Sequence, residues 1–198
     1  MVFSSQVFLF LFLPTVLVAY FLCPRKGRNS LLLLFSLLFY GWANPLFALL
    51  LILTVVVCFF AGNLANRRHC GGSGRPGLWL GVVFPLSVLG IFKYFNFFRD
   101  NWNAVVEWGL GLAELDVALQ VVLPLGLSFY TFQAITYVVD IYRGDARPQK
   151  NPLDFACYIA LFPQLVAGPI IRYGEISRQL RDRTESFELF ARGVALFS

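Results

Sequence analysis

Residues able to do chemistry are few in this sequence, and their setting says as much as their type. His69 is the one histidine among 198 residues, which leaves a metal site without ligands. It follows Arg67 and Arg68 and precedes Cys70, Gly71 and Gly72, the context of a solvated turn. Cys23, Cys58, Cys70 and Cys157 show no C-x-x-C spacing and are expected to be free thiols. The remaining candidates are polar residues in or beside apolar runs, where each asks for a reason to be there. Lys93, followed by Tyr94, lies near the outer end of its run, placed to snorkel to the interface or to serve as a buried functional cation. Ser128, Tyr130, Thr131 and Gln133 form a polar patch. Ser128 and Thr131 share a helical face, which suits interhelical hydrogen bonding or the lining of a substrate passage. Asp140 and Arg143 stand three apart, spaced to pair at a helix end. Gln164 and Arg172 flank a stretch broken by Gly168 and Pro169, with Pro163 just before it.

The elements that must position these residues follow from composition. Hydrophobic residues make up 58% of the chain and charged ones 14%, against about 45–50% and 25% in soluble domains. The apolar residues come in long charge-free blocks instead of one-sided stripes, so lipid is the expected solvent. A net charge of +5 raises nucleic acid as a partner. The basic residues sit between apolar blocks, however, without a continuous surface of stacking aromatics, and no nucleic-acid partner is expected.

Residues 3–22 carry no charge and are long enough to span a hydrocarbon core of ~30 Å as a helix. Their start lacks the positive region and small-residue cleavage site of a signal peptide. Residues 29–66 are likewise uncharged, but a single helix of that length would run to ~57 Å. Gly41-Trp42-Ala43-Asn44-Pro45 supplies the break, giving a hairpin with short arms, 31–42 and 46–61. Further spans are expected at 78–98 and 117–140. Residues 155–171 are apolar but contain Pro163, Gly168 and Pro169, which argues against a continuous helix. Residues 182–197 mix charge with Phe187, Leu189 and Phe190, the pattern of an amphipathic helix or of the approach to another span.

Charge orients these spans. Arg25, Lys26 and Arg28, then Arg67, Arg68 and Arg75, then Arg143, Arg147 and Lys150 occupy alternate connections, which the positive-inside rule places in the cytoplasm. The stretch from Arg99 to Asp116 is acidic and reads as an outside loop, so the N-terminus is outside. Basic residues flank 155–171 on both sides, so both of its ends belong at the cytoplasmic face and the segment reads as re-entrant. The fold class expected is all-α, a polytopic integral membrane protein with one re-entrant helical segment. Broken helices of this kind also occur in transporters, so a transporter component or a non-enzymatic scaffold stands as the alternative on physics alone.

The motifs go further. Met1-Val2-Phe3-Ser4-Ser5, Phe92-Lys93-Tyr94, the stretch Leu123 to Phe132, Tyr137, Asp140, Tyr142-Arg143-Gly144 and the stretch Phe162 to Arg172 together resemble the membrane-bound O-acyltransferase family, in its alginate O-acetyltransferase branch. The resemblance covers nearly the whole chain and matches the N-terminal part of the family's single helical membrane domain. It implies an enzyme of the bacterial inner membrane, with multiple passes, that moves an acyl group from a cytoplasmic donor toward an exported polysaccharide. No cofactor is implied to be bound; acetyl-CoA or another cytoplasmic acyl carrier is the implied donor. The lipid bilayer and periplasmic or extracellular acetyltransferase proteins are the implied partners. D-alanyl, peptidoglycan or cellulose acyl transfer are alternatives within the family. The family's catalytic histidine, a general base, is expected beyond residue 198, which makes the chain a fragment of a longer enzyme, and Gln164 stands where relatives are expected to carry a histidine. No residue of this chain is therefore assigned as catalytic. Lys93, Tyr94, Ser128, Tyr130, Asp140, Arg143, Gln164 and Arg172 are expected to line or brace the passage. The topology has a direct check: reporter fusions within 99–116 should report an outside location, and a cytoplasmic signal there would invert every span.

Overall fold

The structure, a computed structural model, describes residues 6–42, 44–106, 122–124, 126–168, 173–174 and 186–197. Every regular element among them is helical. The first begins as a π turn, Phe8–Phe12, in which the Leu13 N–H donates to the Phe8 carbonyl, and continues as α1 (Leu13–Leu22). Pro14 has no N–H and its ring would crowd the carbonyl four residues back, so the widened turn relieves a proline near the middle of the run.

The expected hairpin forms. α2 (Arg28–Gly41) ends next to the break, and α3 (Pro45–Ala65) starts with Asn44 as its cap, the side chain accepting from the Leu46 N–H at 2.9 Å. The second arm is longer than 46–61. α3 has 21 residues and runs on into a 3-10 turn, Asn66–Cys70, giving an apolar helical stretch of 26 residues that is long enough to cross a bilayer. α4 (Arg75–Val105) also exceeds its expected bounds, passing through the buried Pro85 and continuing over Arg99, Asp100 and Asn101. The beginning of the acidic stretch is thus helical, with Arg99 and Asp100 paired at 2.8 Å; residues 107–116 lie outside the described residues.

The span expected at 117–140 is corrected. Residues 122–124 are not helical, and α5 (Leu127–Arg143) starts only after Gly126, whose φ of 76° belongs to the left-handed region. Residues 117–121 lie outside the described residues. The expected Asp140–Arg143 pair is also corrected. Asp140 is buried, Arg143 is exposed, and no ion pair joins them. Backbone closes this end instead: Gly144, at φ 93°, and Asp145 donate to the Asp140 carbonyl at 3.0 and 2.9 Å.

The apolar run over 155–171 becomes two short helices, α6 (Pro152–Ala160) and α7 (Phe162–Ala167), separated at Leu161, where ψ is 113°. Pro163 lies in the first turn of α7, where its missing N–H is harmless; in a continuous helix its ring would meet the carbonyl four residues back. Residues 169–172 lie outside the described residues. Of 182–197, the described part contains α8 (Phe187–Phe197), whose Phe190 ring meets Phe21 at 6.2 Å.

α3, α4 and α5 pack against one another, and α6 lies along α2 and α3. Small residues allow the close approach. A Cβ on Gly77 of α4 would collide with the backbone of Ala61 and Ala65 on α3, and one on Gly81 would lie 2.7 Å from the methyl groups of Val138 on α5. The outward faces keep large apolar side chains uncovered, among them Phe10, Leu22, Trp79 and Phe98, the reverse of a water-soluble surface. Replacing Gly77 by Ala should lower stability by about 1–3 kcal/mol through overpacking. Gly90→Ala, where a Cβ meets nothing within 4 Å, should raise it by roughly 0.5–1 kcal/mol. Thermal unfolding in detergent checks both.

Candidate functional site

Two buried polar side chains from different helices, Ser36 and Gln133, converge on the α6–α7 break. In an uninterrupted helix the Phe162 N–H would donate to the Tyr158 carbonyl. Turning the chain at Leu161 separates the two, and each finds a side chain from a different helix. The Phe162 N–H donates to Ser36 Oγ of α2 at 3.2 Å, and the Tyr158 carbonyl accepts from Gln133 Nε2 of α5 at 2.9 Å. Ser36 keeps a second bond, donating to its own Leu32 carbonyl at 2.7 Å. Ser36, Gln133 and Phe162 are all buried, so water cannot replace these contacts.

Aromatic rings hold the break in place from both sides. Phe162 packs against Phe8, Phe12 and Phe39, with centroids 5.4–6.0 Å away. Tyr158 and Tyr137 both meet Tyr173, at 5.2 and 4.9 Å. By residue 173 the chain is therefore beside the last turn of α6 and against Tyr137 of α5. Tyr137 also accepts from the Gln149 N–H at 3.1 Å, tying α5 to the connection that leads into α6. On the far side of the break the Leu165 carbonyl presses on Gly126, where a Cβ would stand 2.7 Å away. Left-handed backbone and close contact together explain a glycine at the start of α5. Close by in sequence, Tyr130 meets Tyr40 ring to ring at 6.3 Å, and their buried hydroxyls approach each other without closing a hydrogen bond.

The expected site residues divide on this geometry. Tyr130 and Gln164 are buried, Tyr130 against α2 and Gln164 within the tip of α7; Ser128 is partly exposed, beside Gly126. Asp140 is buried near the other end of α5. Lys93 and Tyr94 are exposed on α4, with the ammonium 5.5 Å from the Tyr94 centroid. α4 continues to Val105, so Lys93 lies inside the helix and not at its end. Arg143 is exposed, and Arg172 lies outside the described residues. Within the polar patch, Gln133 makes the interhelical bond expected of Ser128 and Thr131, while the buried Thr131 hydroxyl has no hydrogen-bond partner among the described residues. Ser36, Tyr40 and Tyr158 were not singled out by sequence; a lone serine in a leucine-rich run carries no signal beyond its polarity.

The basic connections meet at one end of the bundle. His69 lies in the exposed 3-10 turn, its Nε2 3.1 Å from the Ile141 carbonyl, and the Arg68 guanidinium sits 4.4 Å over the Tyr142 ring. Both place nitrogen donors at the C-terminus of α5, where carbonyls lack helical partners. Asn29 Nδ2 donates to Asp154 at 2.7 Å, joining the start of α2 to the start of α6.

No family model matches this sequence, and no solved structure does. Curated proteins do match along its whole length. It is 42% identical over 201 residues to a protein of Azotobacter vinelandii named "Probable alginate O-acetylase AlgI", and 41% identical to a protein of the same name from Pseudomonas syringae pv. tomato, with 100% of the chain covered in both. A "Peptidoglycan O-acetyltransferase" of Helicobacter pylori is 31% identical over 99% of the chain. The chain spans 39%, 38% and 41% of the length of these three relatives. Motifs in register and similarity from end to end agree: over its whole length the chain is similar to the alginate O-acetylases, of which it spans about two fifths.

Proposed function

We propose that this chain forms part of the membrane body of an O-acetyltransferase that carries an acetyl group from a cytoplasmic donor, acetyl-CoA or another acyl carrier, toward an exported polysaccharide of the alginate type. The observation that carries this reading is a broken helix with both halves of its severed hydrogen bond secured by neighbouring helices, in a chain similar throughout to named O-acetylases. Irregular backbone at membrane depth persists only where protein or a water-lined cavity satisfies it, and an acyl group needs a non-lipid route through the bilayer. α6 and α7 enter from the basic end and return beside Tyr158 by Tyr173, which supports a re-entrant segment in a multi-pass protein of the inner membrane with its N-terminus outside.

In this reading the chain builds and braces the route, and the proton-transferring base is supplied elsewhere. His69 is in an exposed turn against the C-terminal end of α5, the opposite end from the Gly126–Leu165 contact beside the break. As the resemblance to the O-acyltransferases implies, the general base in this reading is a histidine outside these 198 residues, and delivery to the polysaccharide runs through acetyltransferase partners on the outer side.

A deletion strain complemented with the full-length gene tests the reading through ester-linked acetate on the exported polysaccharide. Complementation should restore it, and failure to do so at normal expression would overturn the function. Ser36→Ala should strand the Phe162 N–H, costing about 1–3 kcal/mol and reducing acetate by more than the loss of folded protein accounts for. Ser36→Thr, which keeps the hydroxyl, should recover most of it. Arg172→Ala should lower acetate if that side chain braces the passage; unchanged acetate would remove it from the route.

A further inference from the structure

A groove of about 460 Å³ opens on the outside of the bundle between α2, α3 and α6. Its floor is Leu51 and Val55, both buried, and its rim includes Val56, Phe60 and Leu153, each more than two-fifths exposed. Every side chain lining it is apolar. Along α3 it runs from Leu51 to Phe60, roughly 14 Å at ~1.5 Å per residue. That is about half of a ~30 Å hydrocarbon core, the depth of one leaflet.

One end of the groove is fixed by charge. Pro152 and Leu153, in the first turn of α6, lie at its mouth, and the Asn29–Asp154 bond brings the start of α2 alongside. Just before these two helix starts stand Lys26 and Lys150, both exposed. The carboxylate at this junction, Asp154, is held by Asn29. Arg28 is turned away, donating to the Cys23 carbonyl at 3.2 Å and lying 4.7 Å from the Tyr20 ring centroid. An apolar slot one leaflet deep beneath two exposed ammonium groups complements a molecule with a long alkyl chain and an anionic head.

We propose that this groove is a binding site for one acyl chain of an anionic glycerophospholipid from the leaflet at the basic end, with its phosphate held by Lys26 and Lys150. The site lies on the outer side of α6 and requires only that the chain sits in a bilayer. Bound there, the lipid wedges α6 against α2 and α3 and so steadies the helix whose far end carries the break.

The test uses the purified full-length protein in phosphatidylcholine nanodiscs containing a small fraction of phosphatidylglycerol with a diazirine in one acyl chain, or the matching phosphatidylcholine probe. Labelled residues are mapped by mass spectrometry. The phosphatidylglycerol probe should label Val56, Phe60 or Leu153 several-fold more than Val83 and Leu86 on the exposed face of α4. Ala156→Trp, which fills the groove, and the double variant Lys26→Glu/Lys150→Glu should each remove most of that excess. Should Ala156→Trp not fold, Leu153→Trp at the exposed rim blocks the same mouth. Equal labelling of the groove and α4, equal labelling by the two probes, labelling unmoved by the charge variant, or no groove labelling at all because another segment covers it would each overturn the site.

Discussion

A helix cannot be interrupted inside a membrane without freeing an N–H and a carbonyl, and a buried backbone group left unpaired costs several kcal/mol in hydrocarbon. At Leu161 the freed pair is Phe162 N–H and Tyr158 C=O, and the molecule answers with Ser36 from α2 and Gln133 from α5. These two bonds fix more than local geometry. They set how α2 and α5 stand relative to the α6–α7 segment, because a hydroxyl and an amide must each reach a particular backbone atom. The aromatic cluster about Phe162 and the glycine contact at Leu165 then pack around a point already determined.

The same economy of space runs through the rest of the bundle. Gly77 lets α4 approach the backbone of α3 and Gly81 lets it close on the Val138 methyl groups of α5, so α5 is held firmly enough to present Gln133 to the break. At the basic end, His69 and Arg68 meet the carbonyls and ring that close α5, while Asn29 and Asp154 join α2 to α6. In the function proposed above, a discontinuous segment anchored at that end and clamped at its break would serve as a rigid inlet from the basic side.

Much of this was legible where local chemistry decides structure. Asn44-Pro45 ends one helix and caps the next by steric and hydrogen-bonding rules that need no neighbours, and it does so here. Pro163 foretold a break, though the turn falls at Leu161, because a proline is accommodated in the first turn of a new helix. Residues 122–124 look helical by composition alone; only the left-handed Gly126, demanded by the Leu165 carbonyl, shows why α5 starts later. α4 outran its apolar block because helix continues where its polar residues meet solvent. Ser36 was invisible since a serine that bonds its own preceding turn resembles one that also receives a bond from elsewhere. The motifs pointed to the O-acetylases that the chain is similar to, while the partners of each polar side chain had to come from the tertiary arrangement.

The central claim is that the α6–α7 segment enters and leaves on the same side of the membrane. With Cys23, Cys58, Cys70 and Cys157 replaced, Asn151→Cys and Gly174→Cys would be probed in the full-length protein with a membrane-impermeant maleimide, using intact cells opened to the periplasm and inverted vesicles. Both cysteines should react in inverted vesicles and stay unlabelled from the periplasm. Labelling of Gly174→Cys from the periplasm, with Asn151→Cys reacting only in inverted vesicles, would make the segment a full crossing and contradict the clamped re-entrant arrangement.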